Sequence, residues 1–214
     1  MAAPAVEGAA VAALRFVMTR VRNAAERSGR DPERIRVVAV SKTKPASLVR
    51  QSLRRRPPML CFPRTWNGIS LGICRATKSN LFSVAGVPNL SMVEGVHNEK
   101  VANHLDNAVS SLGRNPLKAK SGIDPSGCVE LAKHVKLHCP NLLFSGLMTI
   151  GMPDYTSTPE NSRTEVCKAL GLTEEQCELS MGMSGDFEQS IEMGSTNVRI
   201  GSTIFGPRDY AKKQ

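Results

Sequence analysis

Short apolar runs alternate with helical repeats along much of this chain, and this alternation restricts the fold more than any other feature. Arg36–Val40 is a short apolar run that suits a strand covered on both faces of a sheet. Residues 9–28, just before it, carry apolar side chains at the 3.6-residue spacing of an amphipathic helix. Strands that alternate with helices of about 10–15 residues predict an α/β protein with a parallel sheet. The same pattern predicts further strands at 89–95, 142–150, 178–182 and 197–205, and further helices at 98–112, 124–138, 187–193 and from Thr158 onward.

Acidic residues are missing from one long window of the chain. The net charge is +9, yet no Asp or Glu occurs between Glu33 and Glu94, and this stretch of 60 residues contains eleven Lys or Arg. The rest of the chain carries 17 basic and 19 acidic residues. The basicity is therefore local, and we expect no general affinity for nucleic acid.

Residues 52–80, inside that window, do not fit the alternating pattern. They contain Arg54–Pro58, with three arginines and two prolines, and Trp66, the only tryptophan, but no clear strand or helix period. A basic arm for nucleic acid is one interpretation, although the aromatic residues do not alternate with the basic ones as on a base-stacking surface. The other interpretation is that the segment is foreign to the domain.

Other features of the chain exclude several classes of protein. The length of 214 residues favours one domain over residues 1–214. No run of about 18 uncharged apolar residues predicts a membrane span, and Glu7 and Arg15 interrupt the Ala-rich start where a secretory leader would be apolar. The six cysteines form no C-x-x-C pair, so we expect reduced thiols and a cytoplasmic protein, with an organelle left open. His134 and His138 have no obvious third ligand, so no metal site is predicted.

Residues that suit a phosphorylated carbonyl compound follow three of the predicted strands. Lys42 comes directly after Arg36–Val40; at a strand end a lysine is partly desolvated, and burial lowers its pKa so that the neutral amine can attack a carbonyl. An ordinary surface lysine is the alternative. The last two strands lead into small-residue turns, one with Ser184 and one with Gly201 and Ser202, whose N–H and hydroxyl groups can hold an oxyanion. Together these residues suggest a phosphorylated aldehyde held as a Schiff base.

These residues also resemble a known family. Val37–Pro45, Gly146–Ile150 and the run from Glu178 to Lys213 are similar to the pyridoxal phosphate homeostasis protein family, formerly called the proline synthase co-transcribed homologue family. The resemblance covers residues 1–50, about 84–118, about 121–154 and 163–213. It implies a (β/α)8 TIM-barrel-like fold of the alanine racemase N-terminal type, without the second domain of that enzyme.

The resemblance implies a role for each matched residue. Lys42 matches the lysine that binds pyridoxal 5′-phosphate as a Schiff base. Ser184, Gly201 and Ser202 match phosphate-binding positions, and Arg199 matches the arginine that faces the pyridine nitrogen. Because arginine does not give up its proton, that nitrogen is not held protonated and the cofactor is a poor electron sink. The implied function is homeostasis of pyridoxal phosphate (vitamin B6) without robust catalysis, in a monomer whose partners are the cofactor and apo pyridoxal phosphate-dependent enzymes.

Parts of the family pattern are missing from the chain. A Gly-Glu-Asn strand and a His-Phe-Ile-Gly strand belong where residues 52–80 stand, and an Asn-Thr-Ser strand expected before Ser121 is replaced by Lys118–Lys120. A shifted reading frame or a mispredicted exon would produce this pattern. The expected fold is an incomplete barrel with about five of the usual eight strands. Two alternatives stay open, namely a racemase-like enzyme that uses pyridoxal phosphate on amino acids, and a non-functional truncated or frameshifted product.

Overall fold

The computed structural model describes residues 8–41, 44–45, 48, 60–61, 95–111, 123–150 and 159–207. These residues form an α/β protein with parallel strands. Contacts divide the chain into two compact units, Met1–Phe62 with Ser180–Gln214, and Pro63–Leu179. The single domain expected over 1–214 stays a prediction. The helices are α1 (Ala9–Arg27), α2 (Glu99–Ser111), α3 (Cys128–His138), α4 (Pro159–Leu170), α5 (Phe187–Glu192) and α6 (Ser202–Phe205). The strands are β1 (Arg36–Ala39), β2 (Leu60–Cys61), β3 (Gly146–Met148), β4 (Glu178–Ser180) and β5 (Asn197–Ile200).

Helix α1 buries one apolar face, as its periodicity predicts. Leu14, Val17 and Val21 are fully or almost fully buried, and each such side chain contributes about 1.5–3 kcal/mol relative to an exposed one. The helix ends at Arg27. There Ser28 donates both its backbone N–H and its hydroxyl to the carbonyl of Ala24, which would otherwise have no partner within the helix. The helix predicted over residues 9–28 is therefore confirmed.

Strand β1 lies between β2 and β5 in the first unit. Its register pairs Val37 with Val198 of β5 and with Leu60 of β2, in parallel in both cases. Ser180 of β4 pairs with Asn197 on the other side of β5, so the strand order in this unit is β2-β1-β5-β4. Every residue of β5 is buried, as is typical of a strand covered on both faces.

Strand β2 lies within residues 52–80, the segment without a strand period. A parallel edge pairing uses backbone N–H and C=O groups, so it needs no particular side-chain pattern. The structure therefore adds a two-residue strand that the sequence did not predict. The rest of residues 52–80 lies outside the described residues.

Helices α5 and α6 both pack against α1. The guanidinium of Arg20 on α1 lies 4.7 Å from the ring centroid of Phe187 and 2.5 Å from a carboxylate oxygen of Glu188. Nη1 of Arg30 donates to the carbonyls of Ile191 and Ser195, at 2.7 Å each. The segment after α1 thus binds one carbonyl near the end of α5 and one in the turn between α5 and β5.

The second unit is built on helix α3, which packs against both α2 and α4. One apolar cluster joins Ala102 to Val135, and another joins Ala132 to Val166. The carboxylate of Asp106, which is buried, accepts hydrogen bonds from the backbone N–H and the side-chain amide of Asn141, at 2.7 and 3.2 Å. The buried carboxylate of Asp106 thus has hydrogen-bond partners, as the cost of desolvation requires.

Strand β3 approaches the start of β4 very closely at Gly146. The N–H of Glu178 donates to the carbonyl of Ser145 at 2.7 Å. Gly146 has φ +153°, and a Cβ atom there would lie 2.0 Å from the backbone oxygen of Glu178. Only glycine fits at this point, because any side chain would overlap the neighbouring backbone.

Several helix and strand boundaries in the structure differ from the predicted ones. Asn98 accepts a hydrogen bond from the N–H of Val101 at 2.9 Å and caps α2, so the helix predicted at 98–112 is confirmed over Glu99–Ser111. The strand predicted at 142–150 is limited to Gly146–Met148. The strand predicted at 197–205 is wrong beyond Ile200: Ser202–Phe205 is helix α6, in which the N–H of Phe205 donates to the carbonyl of Gly201. Residues 89–94 lie outside the described residues.

We expect Gly146→Ala to destabilise the protein by about 2–4 kcal/mol, because the new methyl group must displace the backbone of Glu178. Gly171→Ala is the matched control: φ is +63°, but nothing lies within 4 Å of the added Cβ, so its cost is about 1–2 kcal/mol of backbone strain. Urea denaturation of both variants measures the difference. Equal losses of stability would contradict the close approach of β3 to β4.

The ion pair between Arg20 and Glu188 is expected to stabilise the fold in a pH-dependent way. Its side chains are 33% and 32% exposed, so a double-mutant cycle of Arg20→Gln and Glu188→Gln at pH 7 should show a coupling of about 0.5–1 kcal/mol. The hydrogen bond from Arg20 lowers the pKa of Glu188. The coupling is therefore present at neutral pH and is lost as the pH falls through the folded-state pKa. Urea denaturation at neutral and strongly acidic pH checks this; a coupling that does not change would contradict it.

Candidate functional site

The two turns that follow β4 and β5 contact each other. Ser184 lies in the turn before α5, and Gly201 and Thr203 lie at the start of α6. The side-chain Oγ of Ser184 accepts hydrogen bonds from the N–H of Gly201 at 3.1 Å and from the N–H of Thr203 at 3.4 Å. The hydroxyl of Thr203 donates to the carbonyl of Ser184 at 3.4 Å. The structure thus brings together the two turns in which the sequence predicts anion-binding residues.

This contact has the donor chemistry of a candidate oxyanion site. Two backbone N–H groups directed at one oxygen atom form a concave group of donors, and such groups bind phosphate and other anions in proteins. Ser184, Gly201 and Thr203 are half-buried, and Ser202 between the last two is exposed. These residues are therefore at the surface of the unit and not within its core.

Asp186 holds the Ser184 turn in shape. Its side-chain oxygen accepts a hydrogen bond from the N–H of Met183 at 2.6 Å, and the N–H of Phe187 donates to the carbonyl of Met183 at 2.9 Å. Asp186 was not among the site residues predicted from the sequence. The signal that could have found it is an aspartate directly before a helix, a position where a carboxylate accepts backbone N–H groups.

Gly201 also packs against the end of β1. A Cβ atom on Gly201 would lie 3.0 Å from the carbonyl oxygen of Val40, and the N–H of Val40 donates to the carbonyl of Ile200 at 2.9 Å. A glycine here lets the oxyanion turn approach the strand that precedes Lys42. Lys42 itself lies outside the described residues.

The segment after β1 is tied to the segment after α6. The N–H of Lys44 donates to the carbonyl of Ser41 at 2.7 Å, and its Nζ lies 2.5 Å from the carbonyl oxygen of Pro207. The chain on either side of residues 42–43 is therefore held close to the ends of β5 and α6.

Arg199 is buried on the face of β5 that it shares with Ser180. The two side chains are 2% and 4% exposed, and Nη1 of Arg199 donates to Oγ of Ser180 at 2.6 Å. The backbone N–H of Arg199 donates to the carbonyl of Gly182 at 2.9 Å. The family resemblance predicted Arg199 but not Ser180, whose only signal in the sequence is its place in the alternating pattern of the neighbouring strand.

The cysteines and the two histidines of α3 show no arrangement for catalysis or metal binding among the described residues. Cys128, Cys139, Cys167 and Cys177 are free thiols. Burial raises the pKa of Cys177 to about 12, so it carries almost no reactive thiolate at neutral pH. His134 Nε2 lies 2.8 Å from the side-chain oxygen of Asn103, and the rings of His134 and His138 are 5.0 Å apart. Among the described residues, no three His, Cys, Asp or Glu side chains are arranged to hold a metal ion.

In the part of the chain that the structure describes, no helix has the length and apolar character of a membrane span.

The fold is that of an α/β protein, and the candidate oxyanion site lies at the carboxyl ends of its parallel strands β4 and β5. No protein-family model matches the chain. Curated proteins named pyridoxal phosphate homeostasis protein do match it. The protein from Mus musculus is 39% identical over 244 residues, covering 94% of this chain and 88% of its own. The one from Homo sapiens is 37% identical over 94% of this chain and 87% of its own, and the one from Escherichia coli K12 is 31% identical over 92% and 96%. The chain belongs to the pyridoxal phosphate homeostasis protein family.

Solved structures share the fold. A protein of unknown function from Bifidobacterium adolescentis superimposes with a TM-score of 0.70 at 22% identity, over 96% of this chain and 98% of that one. PipY of Synechococcus elongatus, in a structure described as having PLP bound, superimposes with a TM-score of 0.57 at 25% identity, over 87% and 99% of the two chains.

The comparison also shows that the chain is shorter than its relatives within the matched region. The alignment to the mouse protein has 244 positions, and this chain fills about 201 of them, which is 94% of 214 residues. About 43 positions of the relative therefore have no counterpart in this chain. This supports the prediction that internal segments of the family pattern are missing.

Proposed function

We propose that this chain binds pyridoxal 5′-phosphate and acts in vitamin B6 homeostasis. The observation that carries the proposal is the oxyanion site, in which the N–H groups of Gly201 and Thr203 converge on Ser184 directly beside Val40, two residues before Lys42. The names of the family members and the PLP described in the PipY structure support it.

The oxyanion site fits the phosphate group of this cofactor. A phosphate monoester has several acceptor oxygens. The donors that we assign to it are the hydroxyl of Ser184 and the N–H groups of Gly201 and Thr203, which in this structure donate to Oγ of Ser184 and would turn to the phosphate when it binds. Ser202 is exposed beside Gly201, and we assign its hydroxyl to the same anion. Any side chain at position 201 would press on the carbonyl of Val40, so a glycine keeps the backbone available to the ligand.

Lys42 is the residue that we propose to bind the aldehyde. Lys42 follows Val40 by two residues, which span at most about 7 Å between Cα atoms, and this short connection supports the proposal. Pyridoxal phosphate supplies an aldehyde, which condenses with a lysine amine to form a Schiff base and releases water. A neutral amine is required, and a partly desolvated strand end favours that form.

Arg199 is proposed to face the ring nitrogen of the cofactor. Its guanidinium has no acceptor and does not deprotonate, so it disfavours a proton on that nitrogen. The ring then withdraws electrons weakly, which suits storage or delivery of the cofactor better than turnover of amino acids. The relatives are named for homeostasis rather than for a reaction, and we therefore propose a protein without robust catalysis rather than a racemase-like enzyme.

The architecture that we propose is a TIM-barrel-like fold of the alanine racemase N-terminal type that lacks some of its strands. The parallel α/β arrangement and the superposition on PipY support this assignment. We further propose a monomeric cytoplasmic protein whose partners are pyridoxal phosphate and apo enzymes that use it. Nothing in the described residues favours nucleic-acid binding, and a non-functional product is an outcome of the first experiment below.

Lys42→Ala should abolish covalent capture of pyridoxal phosphate. The wild-type chain is mixed with the cofactor, reduced with borohydride and mapped by peptide mass spectrometry, with Lys44→Ala as the control because Nζ of Lys44 binds the carbonyl of Pro207. We expect an adduct on Lys42 in the wild type and in Lys44→Ala, and none in Lys42→Ala. A folded wild-type chain without an adduct would mean that the site residues do not function in this product.

Ser184→Ala should weaken binding of pyridoxal phosphate about tenfold, because the variant lacks a hydroxyl that we assign to the phosphate. Binding of pyridoxal, which has no phosphate, should be unchanged. Ser190→Ala is the matched control: Ser190 is a buried serine whose Oγ has no hydrogen-bond partner among the described residues. Absorbance titration measures all three proteins. An equal loss for pyridoxal and pyridoxal phosphate would contradict the assignment of Ser184 to the phosphate.

A further inference from the structure

Arg199 is held by hydrogen bonds at both ends, through its guanidinium and through its backbone N–H. Nη1 donates to Oγ of Ser180 at 2.6 Å, and both side chains are almost fully buried. At the other end of the residue, the backbone N–H donates to the carbonyl of Gly182. Ser180 on the preceding strand therefore restrains the long side chain of Arg199, and Gly182 in the turn that follows binds its backbone.

The strand register explains how Ser180 reaches the guanidinium. Ser180 pairs with Asn197, so it lies two residues before the position that is level with Arg199. Two residues along a strand bring a side chain back to the same face of the sheet. Ser180 thus lies one pleat nearer the amino ends of the strands than Arg199, and it draws Nη1 back along the sheet, away from the oxyanion site at the carboxyl ends.

A serine orients the guanidinium without neutralising it. A hydroxyl is an uncharged acceptor, whereas an Asp or Glu at the same place would form an ion pair and cancel much of the positive charge. The contact between Ser180 and Arg199 therefore limits the rotation of a flexible side chain and leaves its charge in place. Both properties are needed if Arg199 is to act on a ring nitrogen at a defined position.

We propose that Ser180 is a positioning residue that directs Arg199 toward the ring nitrogen of bound pyridoxal phosphate. This inference rests on the proposed function and names a residue that acts through Arg199. The inference requires that Ser180 increases the affinity only for a ligand that has the ring nitrogen. A residue with a merely structural role would affect both kinds of ligand equally.

The test compares two ligands that differ only at the ring nitrogen. Wild type, Ser180→Ala and the control Ser190→Ala are titrated by absorbance with pyridoxal 5′-phosphate and with 1-deazapyridoxal 5′-phosphate, in which a C–H group replaces that nitrogen. We expect Ser180→Ala to lose about five- to tenfold in affinity for pyridoxal phosphate and less than about twofold for the deaza analogue. Ser190→Ala should leave both affinities unchanged.

An equal loss for both ligands, or no loss for either, would overturn the proposal. Ser180→Cys is the second variant, since it keeps the size of serine but supplies only a weak acceptor; it should show the same selective loss if the alanine variant does not fold. Circular dichroism and urea denaturation establish that each variant is folded. If the folded wild type binds neither ligand, the proposed function itself is wrong, whereas wild-type binding with an unselective Ser180 variant refutes only the role of Ser180.

Discussion

Parallel pairing between β1 and β5 joins the early part of the chain to its last strand, and the candidate site depends on this pairing. The register places Val38 level with Arg199 and Ala39 level with Ile200, so the turn after β5 meets the end of β1. The contact between Gly201 and Val40 is a direct consequence. Pairing residues so distant in sequence costs loop-closure entropy, but that cost grows only slowly with loop length. Burial of apolar side chains of α1, β1 and β5 offsets this entropy cost.

The dependence on β1–β5 pairing explains why a chain that lacks internal segments of its relatives still keeps the residues of the candidate site together. The oxyanion site and its supports come from residues 36–44 and 180–207, which belong to the same compact unit. Hydrogen bonds from Arg30 and the ion pair between Arg20 and Glu188 hold α1 against α5 within that unit. The second unit has its own apolar clusters, and its buried Asp106 accepts hydrogen bonds from Asn141. A loss of about 43 aligned positions is therefore compatible with an intact arrangement of Ser184, Arg199 and Gly201.

Residue type and position relative to a strand were sufficient to predict Ser184 and Gly201 as candidates, because carboxyl ends of parallel strands meet at one edge, whereas Arg199 was predicted only through the family resemblance. The boundary of β5 was harder to predict. Ile204 and Phe205 follow Ser202 and Thr203 in a pattern that suits a strand, but the bond from Phe205 to the carbonyl of Gly201 makes the segment helical. That choice depends on packing against α1, which local sequence does not contain. Strand β2 and the contact between Ser180 and Arg199 were not predicted, for the same reason. The pairing of a backbone segment and the position of a long flexible side chain are both determined by tertiary contacts.

The chemistry of Arg199 separates the two readings of the family resemblance. An enzyme that uses pyridoxal phosphate for carbanion chemistry needs an electron-poor ring, which a carboxylate beside the ring nitrogen supports by keeping that nitrogen protonated. The arginine that we propose at this position is permanently charged and would have the opposite effect, and its contact with Ser180 supplies no negative charge. The Schiff base that we propose on Lys42 does not require a protonated ring, because condensation with the aldehyde does not involve the ring nitrogen. Capture of the cofactor with weak activation of its ring is the combination that the proposed function in cofactor homeostasis requires.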